Sequence, residues 1–242
     1  VTVRDTVRRR ARDRLRGRGI EVLRIDWDVS VHAMHTVRIL DRYQIATVLD
    51  VGAREGEYGL WLRDQGYRGR IVSFEPVPAN LEVLRVRAAT DPAWEVRPYA
   101  LGAASEARTI QVTAWTHFSS FRAARTDVVR TDLDKRAVAA EVEVQVRRLD
   151  EVWDGGGPVL LKCDTQGWDL EVLRGAGERL AEVAALQSEV SSQPLYDGMP
   201  DMLESLAVVR SAGFMVSGLF PLNGGPDFIP VEFDLMAVRP PS

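Results

Sequence analysis

Short apolar runs separated by stretches of helical period set the pattern of this chain. Residues 45–51, 70–74, 158–163 and 183–190 are apolar over strand length, as expected of strands buried on both faces. Between and after them the apolar positions recur with helical spacing: over 58–63, at Leu81, Val83, Leu84 and Val86 in a helix reaching Ala89, at Leu170, Val172 and Leu173, and over 203–211. Further extended segments are predicted at 94–99, 214–219 and 231–238. Strand alternating with helix is the mark of βαβ units, hence of an α/β fold with a parallel sheet. The middle of the chain departs from this. Residues 109–115 and 141–148 alternate polar with apolar, Val142, Val144 and Val146 facing one way, which predicts a half-exposed antiparallel pair. The polar stretch 116–140 between them reads either as a lid or substrate loop over a crevice or as a surface helix without a role. Residues 20–43 are mixed, with a helix around Val37, Ile39 and Leu40.

Parallel sheets take ligands beyond the carboxyl ends of their strands. The first strand runs out in DVGAREGEYG, where Gly52 and Gly56 supply a tight turn before a helix. Gly52, Gly56 and Gly59 do not match the G-x-G-x-x-G spacing of dinucleotide binders, so a pyrophosphate cradle is disfavoured. Asp50 stands at the end of that strand and Glu75 follows the next one, where a carboxylate can accept both hydroxyls of a ribose. The combination resembles an S-adenosylmethionine site; an ordinary strand-to-helix turn is the plain alternative. Asp50, Glu75 and the turn at 100–102 converge on one crevice, and Asp164 and Glu189 end two later strands, where a carboxylate can reach substrate.

A length of 242 residues, 45% of them apolar, suits one domain over 1–242, with a helical extension over 1–37 and an inserted hairpin or lid over 103–150. A single cysteine, Cys163, excludes an intramolecular disulfide and fits a reducing cytoplasm. No apolar run nears the about 18 residues that cross a bilayer, and no signal-peptide core follows the basic start, so a soluble cytoplasmic protein is expected. The net charge of −4 is uneven, because residues 4–18 hold eight arginines against Asp5 and Asp13. Such an arm suits nucleic acid or an anionic membrane surface; Val3, Val7, Ala11 and Leu15, four apart, equally suit a solvated helix docked along one narrow face. His32 and His35 have a metal-like spacing but lack a carboxylate or cysteine partner nearby in the chain, so they are read as surface or partly buried histidines.

Five blocks carry a family likeness: VLDVGAREGEYG, RIVSFEPVPANLEVL, ALG at 100–102 with the serine pair Ser119 and Ser120, LKCDTQGWDLEVLRGA, and LQSEVSSQPLYDGM. Over about residues 38–239 the chain resembles the FkbM family of S-adenosylmethionine-dependent methyltransferases, particularly members that methylate sugar hydroxyls of actinobacterial glycolipids and natural products. The resemblance implies the class I, Rossmann-like fold, a seven-stranded and mainly parallel sheet whose last strand is antiparallel. It implies that Asp50, Gly52 and Gly56 hold the methionine part of the cofactor, that Glu75 binds the ribose, that Leu101 flanks the adenine, and that Asp164 and Gln166 face the methyl and the acceptor. Ser119, Ser120 and Glu189 are candidate substrate contacts. The chain departs from the family pattern at Arg54, where asparagine is usual, and at Asp169, where glutamate is usual.

The implied activity is O-methylation of a hydroxyl on a sugar, a glycosylated natural product or a glycolipid, with a polyketide hydroxyl as the alternative acceptor. An alcohol must lose its proton as it is methylated, and Asp164 is the first candidate base, His117 the second. A divalent ion gripped by Asp164 and Glu189 is a further option, although no metal is expected. An RNA methyltransferase using the arginine arm is the competing class. It lacks support from the residues after the fourth strand, which read Asp164-Thr165-Gln166-Gly167 where amine methylation uses a Pro-Pro-aromatic run and C5 methylation a Pro-Cys nucleophile. A cofactor-binding module without catalysis would keep Glu75 but has no need of Asp164. The oligomeric state is open, a homodimer included.

Overall fold

The computed structural model describes residues 27–128, 137–222 and 229–240. The arginine-rich arm and the apolar stripe at 3–15 lie outside the described residues, as do part of the 116–140 excursion and part of the Pro- and Gly-rich loop after residue 221.

A helix α1 (Trp27–Arg42) leads into β1 (Thr47–Val51), α2 (Glu57–Asp64), β2 (Arg70–Phe74), α3 (Pro78–Ala88) and β3 (Trp94–Arg97). After the short β4 (Ala100–Leu101) come β5 (Glu106–Thr113) and β6 (Val138–Arg147), a turn of helix α4 (Leu149–Val152), then β7 (Val159–Cys163), α5 (Asp169–Gly175), β8 (Val183–Ser191), α6 (Met202–Ser211), β9 (Met215–Pro221) and β10 (Glu232–Val238). Seven strands form one sheet in the order β3-β2-β1-β7-β8-β10-β9, parallel from β3 to β8, with β10 antiparallel to both neighbours. This is the class I methyltransferase arrangement, with the antiparallel strand last in the chain. The switch point lies between β1 and β7, where strand order reverses, and a crevice opens there beyond the strand ends.

The strands are apolar throughout because both faces are covered. Leu49, Val51, Leu161 and Cys163 pack into one core while Val48 and Leu160 pack into the other, as the two-residue period requires. The start of α2 depends on glycine. Gly56 takes a φ of 88°, and a Cβ on Gly59 would stand 2.2 Å from the Trp94 ring, so α2 sits closer to β3 than any side chain permits. α1 is continuous through residue 37 and contacts β9, so the end of the expected extension is a helix covering the sheet.

The expected antiparallel pair is β5 and β6, and β4 adds a third strand parallel to β6. The strand predicted over 94–99 therefore ends at Arg97, and Ala100 and Leu101 belong to the inserted sheet. Val144 and Val146 are buried, and Val142 packs at the edge of the same small core with Val77 and Ile110. The chain after β5 turns back through Thr116–Phe118, bridges Ser120 to Gln111, and is then stitched to the loop after β8. There the Arg125 N–H donates to the Leu195 carbonyl at 2.9 Å and the Asp197 N–H to the Ala123 carbonyl at 2.8 Å.

Candidate active site

The crevice at the switch point holds a cavity of about 1080 Å³, large enough for a nucleoside-sized ligand together with a second molecule. Of the residues singled out by sequence, Gly52, Glu75, Leu101, His117, Ser119, Asp164, Gln166 and Glu189 line it.

Gly52 brings two strand ends into contact. Its φ is 75°, and a Cβ there would lie 2.0 Å from the Asp164 carbonyl oxygen, so the loop after β1 rests directly on the loop after β7. Glu75 is buried and its carboxylate is aimed by three donors. The Arg54 N–H reaches Oε2 at 2.8 Å, and the Val77 N–H and the Asn80 amide reach Oε1 at 2.8 and 3.3 Å. Burial pushes the Glu75 pKa up to about 7, against the pull of those donors. The Arg54 departure from the family pattern leaves this contact intact, since it is made by the backbone, while the guanidinium turns to Glu57 at 2.6 Å.

Three expected site residues stand outside the lining. Asp50 is fully buried, with Lys162 Nζ 3.0 Å from Oδ1 and the Ser73 hydroxyl 3.2 Å from Oδ2, so an ion pair takes the place of the expected ligand contact. Gly56 packs under Leu84 and Trp94 as the start of α2. Ser120 is buried and donates its hydroxyl to the Gln166 carbonyl at 2.8 Å, whereas Ser119 lines the cavity and accepts from the Thr113 N–H at 3.3 Å. Reading the two serines as a pair hides that consecutive extended residues point to opposite sides.

The acceptor end is built from the loop after β7. Asp164 is the open carboxylate, its side chain 48% exposed, with Lys162 Nζ 3.7 Å from Oδ2 and Gln166 Nε2 3.3 Å from Oδ1. Gln166 Nε2 also donates to Glu189 Oε2 at 2.9 Å. That amide holds the two carboxylates together by donating to both, which is the task a shared cation would otherwise perform. Among the described residues no group of three or more His, Cys, Asp or Glu is arranged for a metal ion. Burial, then the charges of Asp164, Glu232, Asp169 and Asp234, raise the Glu189 pKa well above the carboxylate range. Asp169 is a buried brace: it accepts from the Thr165 N–H at 2.9 Å, the Ser188 hydroxyl at 2.9 Å, the Glu189 N–H at 3.0 Å and the Thr165 hydroxyl.

Beneath the cavity runs a feature that the sequence reading missed. Ser73, Asp50, Lys162 and Gln187 are register partners on β2, β1, β7 and β8, and all four are buried. The row continues at both ends. The Trp94 indole donates to Ser73 at 3.0 Å, Tyr58 donates to Gln187 at 2.8 Å, Gln187 reaches Asp234 at 3.4 Å, and His32 Nδ1 lies 3.1 Å from Asp234. Burial alone would lower the Lys162 pKa, but Asp50 and Asp164 outweigh it and hold the ammonium above the usual lysine value. The signal was present, since β1, β2 and β7 each break their apolar run with a polar residue next to last, at Asp50, Ser73 and Lys162. His35 bonds Ser217 at 3.0 Å while His32 faces Asp234, and both rings pack against Phe220.

A model of the family described as "Methyltransferase FkbM domain" matches residues 50–216. Methyltransferase sdnD of Sordaria araneosa is 28% identical over 217 residues, spanning 79% of this chain and 80% of its own. Among solved structures, an rRNA methylase from Streptococcus thermophilus aligns over 90% of this chain and 99% of its own, at 11% identity and a TM-score of 0.49. The magnesium protoporphyrin IX methyltransferase ChlM of Synechocystis PCC 6803, solved with bound SAM, aligns over 99% of both chains at 11% identity and a TM-score of 0.48.

Proposed function

Because the chain belongs to the FkbM methyltransferases, we propose that it uses S-adenosylmethionine to methylate a hydroxyl on a sugar, a glycosylated natural product or a glycolipid. The observation that carries the cofactor assignment is Glu75, a buried carboxylate on the cavity wall whose direction is fixed by the Arg54 and Val77 N–H groups. Gly52 fits the same ligand, for its bare backbone lets the cavity reach down to the junction of β1 and β7. The buried wall of Leu101 and Val77 suits a flat heterocycle. When bound, this cofactor supplies a methyl group on a positively charged sulfur.

The chain's own part is then positioning and proton removal. Holding an acceptor oxygen in line is worth on the order of 7 to 11 kcal/mol of barrier, and a base adds about 10² to 10⁴ in rate. Asp164 takes the acceptor proton in this reading, because it is the half-exposed member of the group while Asp169 is enclosed. His117, on the turn that borders the cavity, is the second candidate. Cys163 is buried and its thiol is pushed up in pKa by burial, which counts against a cysteine nucleophile and so against C5 methylation of a pyrimidine. Among the described residues no helix is long and apolar enough to cross a membrane.

Incubating the protein with methyl-labelled S-adenosylmethionine and a panel of neutral glycosides, polyketides and RNA tests the acceptor class. Transfer to glycosides is expected, and transfer to RNA alone overturns the proposal. Glu75 supplies a separate check on the cofactor. Ribose hydroxyls donate to the ionised carboxylate, so the liganded protein binds fewer protons than the free one, and affinity for S-adenosylhomocysteine is expected to rise as pH passes upward through about 7. Titration calorimetry from about pH 6 to about pH 8 reads this, and Glu75→Gln is expected to flatten the slope.

A further inference from the structure

Gln166 is held more firmly than a ligand contact alone requires. Its backbone lies in the left-handed region at a φ of 51°, a costly place for a residue with a side chain. Ser120, from the inserted segment, donates to its carbonyl at 2.8 Å, and Tyr196, from the loop after β8, donates its buried hydroxyl to Oε1 at 2.7 Å. The Phe118 carbonyl lies farther from that hydroxyl, at 3.4 Å. With Oε1 occupied, the nitrogen faces the cavity carboxylates, Glu189 at 2.9 Å and Asp164 at 3.3 Å. An amide nitrogen has two hydrogens, and here two carboxylates receive them.

The surroundings make this orientation matter. Asp164 has Lys162 on its other oxygen, whereas Glu189 is crowded by Asp169 from α5 and by Glu232 and Asp234 from β10. A carboxyl group in that company favours its protonated form, which leaves Asp164 as the charged member of the pair. We propose that Tyr196 is a positioning residue: by donating to Gln166 it holds the amide N–H groups on Asp164 and Glu189, and so keeps the negative charge of Asp164 facing the place where a cationic cofactor centre is bound. This rests on the reading of the cavity as an S-adenosylmethionine site. Without the phenolic hydroxyl, Oε1 becomes a buried acceptor lacking a donor. The amide then turns over so that Oε1 takes a hydrogen from the protonated Glu189, and Asp164, left with Lys162 alone, turns its charge away from the cofactor.

Calorimetry with two ligands tests this without knowledge of the acceptor. S-adenosylhomocysteine is uncharged at sulfur, and the amine analogue of the cofactor carries an ammonium in place of the sulfonium methyl. Tyr196→Phe is expected to lower the preference for the amine analogue about fivefold while S-adenosylhomocysteine affinity stays within about twofold. Gln166→Met is expected to lower the preference as much, and it carries the test if Tyr196→Phe does not fold. The double variant is expected to lose no more than either single one, because both act through one amide. A tyrosine of merely structural importance weakens both ligands alike; an unmoved preference, or losses that add in the double variant, overturns the proposal. Failure of the unmodified protein to bind either ligand overturns instead the reading of the cavity, and this inference with it.

Discussion

Asp164→Asn is expected to cut methyl transfer by about 10²- to 10⁴-fold, with affinity for S-adenosylhomocysteine within about twofold of the parent. The substitution keeps the size of the side chain and its acceptor for Gln166, and removes the negative charge together with the oxygen able to take a proton. Steady-state rates with labelled cofactor, read beside calorimetry, separate chemistry from binding. The alternative base makes the opposite forecast. Were His117→Ala to stop turnover while Asp164→Asn ran at full rate, the proton would go to the imidazole on the turn at Thr116–Phe118, and the carboxylate would be left with an electrostatic task.

Lys162→Met is expected to destabilise the fold by about 3 to 5 kcal/mol, the usual cost of leaving a buried charge without its partner. Asp50 has no exposure, and its Oδ1 has the Lys162 ammonium 3.0 Å away. The same ammonium donates to the Gly52 carbonyl at 3.3 Å, so the loop beside the cavity loosens with the core. The size of the loss does not measure what the intact pair contributes, because a well-packed apolar replacement of both partners is often neutral. Asp50→Asn combined with Lys162→Met is therefore expected to recover most of the stability. Urea unfolding of the parent, the single and the double variants checks both statements, and a single variant within about 1 kcal/mol of the parent would show the pair to be solvated in a way its burial denies.

The architecture was legible because β1, β2 and β7 are nearly unbroken apolar runs with a glycine or proline at one end. β2 runs over the residues its sequence predicts, 70–74, and the last strand starts one residue later than expected and ends at Val238 as expected. What could not be read is which polar residues face inward. Asp50 and Glu75 look alike in the sequence, both acidic and both at the end of a strand. Asp50 lies inside its strand and points into the layer under α2, while Glu75 has passed the strand end and turns into the cavity. Ser73 is the register partner of Asp50, so Glu75 lies two positions beyond it on the same side of the pleat, and it is the end of the strand that separates a buried ion pair from a carboxylate on the cavity wall. Tyr196 and Asp234 escaped notice for a different reason: their partners are 30 and 47 residues away in the chain, and only the folded sheet brings them within reach.

The stitching of the inserted segment to the loop after β8 bears on how this scaffold is re-targeted. Leu195, Tyr196 and Met199 share a small cluster with Ala124 and Val128, apart from both main cores. The two loops thus behave as a single cassette, joined to the loop after β7 where Ser120 and Tyr196 both donate to Gln166. A chimera that borrows only one of them from a relative strands the clip, whereas transplanting both carries that wall of the cavity across intact.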